Sequence, residues 1–329
     1  MQVLVTGGGG FLGQAIVRRL LARGDTVRSL QRSVTPELTA LGVECIQGDI
    51  ADAAIVAQAV SGCEIVYHVA AKAGVWGRSD EFHRANVVGT ENVLAACRSH
   101  GIVKLVYTSS PSVVFNGRDE SGIDESIPYP QHYLAHYPRT KAIAERLILA
   151  ANSSQLATVS LRPHLIWGPG DNHLFPRLIQ RAREGKLRRV GNGKNLVDTT
   201  YVDNAADAHL LAASKLSPGS AVAGKAYFIS NGEPVPLWTM VDRLLACADV
   251  PPITKSISAT TAYTVGGLLE MAYTIAGRTD EPPMTRFVAR QLSTAHWFCL
   301  DTAKQDFGYD PAVSINEGLK RLTASLKSR

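Results

Sequence analysis

The chain has 329 residues, of which 45% are hydrophobic and 19% charged, and a net charge of +5. That length accommodates one large α/β domain carrying a smaller lobe, or two domains, with a sizeable buried core. No window approaches about eighteen consecutive apolar residues without a charge, which excludes an integral membrane segment and predicts a soluble protein.

In chain order, QVLVT reads as a strand, about 11–23 as a helix, DTVRSLQ and VECIQ as strands, and about 52–60 as a helix. EIVYHVA, a helix at about 82–99 and VKLVYTS follow, then a long helix at about 136–152 and the strand TVSLRP. Strands apolar on both faces and separated by helices predict a Rossmann-type, doubly wound parallel sheet. After about residue 170 the rhythm weakens, although KAYFISN still reads as a strand, PLWTMVDRLLACA as an amphipathic helix and SINEGLKRLTASLK as a closing helix. We therefore assign 1–170 to a dinucleotide-binding domain, to which segments at about 195–230 return, and 171–329 mainly to a smaller, mostly helical substrate lobe.

The start MQVLVT lacks the basic and apolar regions of a secretory signal, and five scattered cysteines, never in a C-x-x-C pair, fit reduced thiols in a cytoplasmic protein. The histidines form no close ligand pair, so no metal site is expected. Basic residues concentrate from Arg177 through Arg181, Arg183, Lys186, Arg188 and Arg189 to Lys194. They lack the aromatic interleaving of a nucleic-acid surface, so no nucleic-acid partner is expected; they read as a solvated face or as an attractor of an anionic substrate. The stretch TTAYTVGGLLEMAYTIAG at 260–277 is broken by Glu270 and a glycine pair, and reads as a packed or substrate-facing helix.

Between the first strand and first helix, TGGGGFLG spaces Gly7, Gly10 and Gly13 as G-x-x-G-x-x-G. Glycine permits the tight turn, the approach of a pyrophosphate to the backbone and close helix packing, and the helix N-terminus then faces the anion. Phe11 and Leu12 belong to the same cradle, whereas Gly8 and Gly9 read as the variable positions. A ribose-binding acid is expected about 20 residues on when the cofactor is NAD. Here the second strand ends in Leu30, Gln31, Arg32 and Ser33. A guanidinium without an acid suits a 2′-phosphate, so NADP(H) is predicted, with Arg32 as its main contact and Ser33 assisting. Asp49 and Ile50, after the third strand, fall where an adenine would lie.

The sequence contains one Y-x-x-x-K, Tyr137 and Lys141, a helical turn apart on one face. A phenol titrates near pH 10 and needs a neighbouring cation to exchange protons near neutrality, which such a lysine supplies. Upstream, Ser109, Ser110 and Ser112 end the fifth strand and offer hydroxyls to a substrate carbonyl.

TGGGGFLG, GDIAD, YHVAA, NVVGTENVL, YTSS, YPRTK, LRPHLIWGPGD, TTYVDNAADAH and FGYDPAVSINEGL run in one order across essentially the whole chain. In that order the chain resembles an extended short-chain dehydrogenase/reductase of the 3β-hydroxysteroid dehydrogenase-like branch. AAKAGVWG, ANVVGTENVLAACR, SLRPHLIWGPGD and GKAYFISNGEP resemble in particular the bacterial 2-alkyl-3-oxoalkanoate reductases of long-chain olefin biosynthesis. The resemblance implies Tyr137 as proton donor or acceptor. Lys141 would lower its pKa and hold the nicotinamide ribose, and Ser110 would orient the carbonyl, with Ser112 as rival. It further implies Ala70, Ala71 and Lys72 beside that ribose, Pro163, Leu165 and Ile166 against the carboxamide, and Asn86 as a bridge from helix to sheet.

The activity so implied is NADPH-dependent reduction of the 3-keto group of a 2-alkyl-3-oxoalkanoate, a lipid-like small molecule. Trp76, Phe115 and Trp167, which follow parallel strands, could wall its alkyl chains. A homodimer and an assembly with other olefin-biosynthesis enzymes accompany that resemblance. The alternatives are a 3β-hydroxysteroid or 4-carboxysterol 3-dehydrogenase, a nucleotide-sugar epimerase or dehydratase, and a non-catalytic NADPH-binding protein, which would not need Tyr137 and Lys141.

Overall fold

The computed structural model describes residues 1–172 and 174–328. Its principal sheet contains β1 (Gln2–Thr6), β2 (Thr26–Gln31), β3 (Glu44–Gln47), β4 (Ile65–His68), β5 (Lys104–Thr108), β6 (Ala157–Pro163) and β7 (Lys225–Ile229). The strand order is β7-β6-β5-β4-β1-β2-β3, with every pairing parallel. In β1, Val3 and Val5 enter one core and Leu4 the other, as the two-residue side-chain period requires. Both faces are covered at the centre of the sheet, which is why β1, β4 and β5 are buried along nearly their whole length rather than in alternation.

Five helices supply the covers: α1 (Phe11–Ala22), α2 (Ala53–Val60), α3 (Gly89–Ser99), α4 (His136–Ala150) and α5 (Val202–Lys215). α1 and α5 pack on one face, α2, α3 and α4 on the other. Asp52 caps α2 by accepting from the N–H groups of Ala54 and Ile55, a contribution of about 1 kcal/mol. The helix anticipated at about 82–99 begins earlier, as an α-turn at Ser79–His83, and passes through a π-turn at Arg84–Val88 before α3. The chain crosses from β3 to the far side of β1 at β4, so the loops after β1 and β4 diverge and open a crevice at the carboxyl edge.

A second sheet joins four short strands, Val235–Pro236, Leu196–Val197, His296–Phe298 and Glu120–Ile123, in that order. The strand at 296–298 interrupts a region expected to be mostly helical. Three residues carry too little periodicity to announce themselves, and the partner strand lies some 175 residues upstream. Around this sheet lie α6 (Ala259–Ile275), α7 (Arg286–Ser293) and α8 (Ile315–Lys327). Among the described residues no helix is long and apolar enough to cross a membrane.

Three cations of the basic stretch from Arg177 have acidic partners. Arg177 pairs with Glu281 at 2.6 Å, Lys186 with Glu184 at 2.9 Å and Arg189 with Asp242 at 2.5 Å. Arg177 lies on the helix Leu174–Arg183, Arg189 on the strand Arg189–Val190, and Lys186 between them.

Candidate active site

The turn after β1 is built by backbone proximity. Gly7 has φ +70°, donates its N–H to the Leu30 carbonyl at 2.7 Å, and a Cβ there would lie 2.9 Å from the Ala70 backbone. A Cβ on Gly13 would lie 2.1 Å from the Gly7 oxygen, so only glycine lets α1 start this close to the strand. Gly10 is the N-cap and offers no side-chain cap, which leaves first-turn N–H groups of Phe11, Leu12 and Gly13 for an anion. Gly8 is less variable than its spacing suggests. A Cβ would meet Ser29 Oγ at 2.2 Å and Ser29 Cβ at 3.0 Å on the neighbouring strand.

These features fit a dinucleotide, and the end of β2 adds a residue that the sequence reading passed over. Gln31, the last residue of β2, has a buried Nε2 without a hydrogen-bond partner among the described residues, while its Oε1 accepts from Ser29 Oγ. Its signal in the sequence was its place, where a ribose-binding acid usually stands. Arg32 and Ser33, immediately after, are exposed. Asp49 is held below its ordinary pKa first by the Ala51 N–H and then by Arg84, whose Nη2 lies 3.0 Å away. Ile50 is buried, and a Cβ on Gly89 would lie 2.6 Å from its Cγ2.

At the carboxyl ends of β4 and β5, α4 presents Tyr137 and Lys141 on one face. Lys141 is 2% exposed, donates from Nζ to the Thr108 carbonyl at 2.5 Å and sits 4.1 Å above the Tyr107 ring centroid. Burial lowers its pKa to about 7, against the field of Glu145. Burial raises the Tyr137 phenol above its ordinary value, opposed by a hydrogen bond with Ser110. The Lys141 ammonium is turned to the Thr108 carbonyl and the Tyr107 ring, and desolvation dominates at Tyr137. Ser110 and Ser112 lie together, Oγ to Oγ 2.9 Å, and Ser110 Oγ also accepts the Ser112 N–H.

Asn86, in the π-turn, fixes the spacing between the β4 exit and α4. Its Oδ1 accepts from the Lys72 N–H at 2.7 Å, and its Nδ2 donates to the Lys72 carbonyl at 3.1 Å and to Thr140 Oγ1 at 3.0 Å. Lys72 itself pairs with Glu81 at 2.7 Å. Ala70 donates its N–H to Thr6 Oγ1, which ties the β4 exit to β1, and Ala71 follows between Ala70 and Lys72. Pro163 ends β6, Leu165 takes φ +43°, and Ile166 pairs with Thr200, so this segment turns sharply at the carboxyl edge of the sheet.

A cleft of about 870 Å³ opens between the loop after β4, the approach to α4, and α6. Trp76 lines it, donates from Nε1 to the Arg278 carbonyl at 3.1 Å and meets Tyr273 edge-on. Tyr133, Met271 and Ile275 add apolar surface, and Arg78, Arg139, Arg278 and Arg286 stand on the walls. Glu270, the sole charged residue of α6, accepts from the Arg286 N–H at 2.7 Å and Nε at 2.6 Å. The other two expected wall residues lie elsewhere. Trp167 is fully buried, donates to Thr199 Oγ1 at 2.9 Å and packs on Tyr201, because its strand is clamped to Thr200–Tyr201. Phe115 is 4% exposed, wedged edge-on between Phe287 and His296. Neither lines the cleft.

Residues 4–256 match the model of the 3-beta hydroxysteroid dehydrogenase/isomerase family. The chain is 56% identical over 328 residues to a 2-alkyl-3-oxoalkanoate reductase of Stenotrophomonas maltophilia, covering 99% of each chain. It is 36% identical to a decarboxylating sterol-4-alpha-carboxylate 3-dehydrogenase of Mus musculus, covering 98% of this chain and 90% of that one. Among solved structures, MoeE5 in complex with UDP-glucose and NAD superposes with a TM-score of 0.77 at 25% identity, covering 100% of this chain and 99% of that one.

Proposed function

The chain belongs to the 3-beta hydroxysteroid dehydrogenase/isomerase family, and from that membership we propose that it reduces the 3-keto group of a long-chain 2-alkyl-3-oxoalkanoate to the 2-alkyl-3-hydroxyalkanoate with NADPH, a step of olefinic hydrocarbon biosynthesis. It is an oxidoreductase of CH–OH and ketone groups that uses a nicotinamide dinucleotide. The observation that carries the finer reading is the placement of Tyr137 and Lys141, on the helix whose approach walls the cleft, together with Ser110 after β5, at the carboxyl edge of the sheet.

In this reading Gly7, Gly10 and Gly13 admit the pyrophosphate, and Phe11, Leu12 and Gly13 donate backbone N–H groups to it. Arg32 and Ser33, exposed beside Gln31, contact the 2′-phosphate, with Asp49 and Ile50 near the adenine. Ala70, Ala71 and Lys72 border the nicotinamide ribose, Lys141 hydrogen-bonds it, and Pro163, Leu165 and Ile166 face the carboxamide. The bound nicotinamide supplies the hydride. Ser110 Oγ donates a hydrogen bond to the ketone oxygen, and Tyr137 transfers its phenolic proton to that oxygen as negative charge develops there. A phenol raised by burial stays protonated at neutral pH, which suits a proton donor and hence the reductive direction. Trp76 and the inner side of α6 cover the alkyl chains.

The deciding experiment is an NADP-linked assay of a long-chain 2-alkyl-3-hydroxy acid against a 3β-hydroxysteroid. Turnover of the hydroxy acid supports the proposal, and activity confined to the steroid overturns it in favour of the sterol dehydrogenase reading. NADH serving as well as NADPH would overturn the cofactor assignment alone.

A further inference from the structure

We propose that Glu145 is a positioning residue for the reaction: ion-paired with Arg162 behind α4, it keeps the Lys141 ammonium charged and in place beside Tyr137. The inference rests on Tyr137 and Lys141 being the catalytic pair. Tyr137, Lys141 and Glu145 follow one another at four-residue intervals along α4, so they form one stripe toward the sheet.

Glu145 is fully buried, and both of its oxygens are saturated. Oε1 accepts from Tyr129 OH and Arg162 Nη2, each at 2.7 Å, and Oε2 accepts from Ser160 Oγ at 2.7 Å and Arg162 Nε at 3.0 Å. A carboxylate so engaged cannot exchange protons with substrate; it is a fixed anion. Arg162 holds its carboxyl below the ordinary range despite burial. Stability does not account for such a pair, since apolar replacement of a buried ion pair is commonly neutral or stabilising.

The surroundings of Lys141 show what the anion does. From β4 comes His68, whose pKa burial lowers to about 3, and from β5 comes Tyr107, pushed well above its ordinary value; both are neutral at pH 7. The Tyr137 phenol on its own helix is neutral as well. Among these groups Glu145 is the anion, and its field opposes the burial that would strip the proton from Lys141. Arg162, on β6, fixes the carboxylate through its ion pair at 2.7 Å.

The test uses the whole chain labelled with 13C-lysine, following the Lys141 Cε shift against pH in wild type, Glu145→Gln and the double variant Glu145→Met with Arg162→Met. The Lys141 midpoint is expected to fall by at least about 0.5 pH unit in each variant that folds, and the alkaline limb of kcat to move in parallel while KM changes by less than about twofold. An unmoved midpoint in a folded variant overturns the proposal. Failure of both variants to fold assigns the pair to folding alone and equally overturns it. A fully active Tyr137→Phe protein would instead refute the catalytic pair and leave the lysine titration standing.

Discussion

Two places in the molecule use a missing Cβ to bring backbones together, and they differ in how far apart the partners lie in sequence. At the cofactor end, Gly13 rests on Gly7, six residues earlier. At the cleft end, Gly266 of α6 rests on the backbone of Thr285 and Arg286, where a Cβ would stand 2.6 Å from the Thr285 carbonyl carbon. Around the first, the contacts needed are local or repeat in a fixed strand–helix rhythm. Around the second, Trp76 reaches the Arg278 carbonyl across 202 residues, and His296 aligns with Glu120. The first kind of site is assembled by chain geometry; the second exists only after the fold has closed.

The largest expected effect falls on the cofactor end. Tyr137→Phe should lower kcat by about 100- to 10,000-fold while NADPH still binds, because a positioned proton donor contributes about that much. Near wild-type turnover in single-turnover assays would remove the proton-transfer assignment.

The cleft side has its own signature in stability against pH. Glu120 is 4% exposed, its Oε1 has no hydrogen-bond partner among the described residues, and burial pushes its carboxyl up to about 8, opposed by Arg162. The folded state therefore binds a proton that the unfolded chain releases near its ordinary value of 4.5. The associated stability is fully present below that value and is lost as pH rises through about 8, a fall of up to about 5 kcal/mol. Glu120→Gln should flatten this slope in urea unfolding curves. An unchanged slope in the variant would assign the effect to other groups.

A pair of alanine substitutions separates the two ends directly. Gly13→Ala should weaken NADPH binding by about 100-fold, as overpacking by about 3 kcal/mol implies. Gly266→Ala should leave NADPH binding alone and raise KM for long-chain substrate by about tenfold, through displacement of α6 from α7. Fluorescence titration of NADPH against both proteins decides it; equal losses would mean that the ends are mechanically coupled. An effect of about the same size belongs to Arg32→Ala, which should weaken NADPH by about tenfold and NADH hardly at all, since one charge-assisted phosphate contact is removed.

The legible part of the site follows this division. Gly7, Gly10, Gly13, Tyr137 and Lys141 were visible because a dinucleotide turn and a one-turn helical pair impose fixed spacings. Gln31 has no role legible in the sequence beyond its place, because an amide at the end of a strand follows no pattern. Trp167 and Phe115 were misplaced for the opposite reason: their sequence context matches that of wall residues, and only the clamp to Thr200–Tyr201 and the wedge between Phe287 and His296 put them in the core. The direction of the Lys141 ammonium, toward Thr108 and Tyr107, has no signature in the sequence, because proximity along a helix says nothing about where an ammonium points or how dry its surroundings are.

By itself, the sequence determined the parallel sheet, the glycine cradle and the tyrosine–lysine pair, because each is written in periodicities of two to four residues. The tertiary structure alone decided the cleft under α6 and the burial of Glu145 against Arg162. These depend on contacts between distant segments, whose energies come from excluding water and satisfying buried charge, and no local pattern records either.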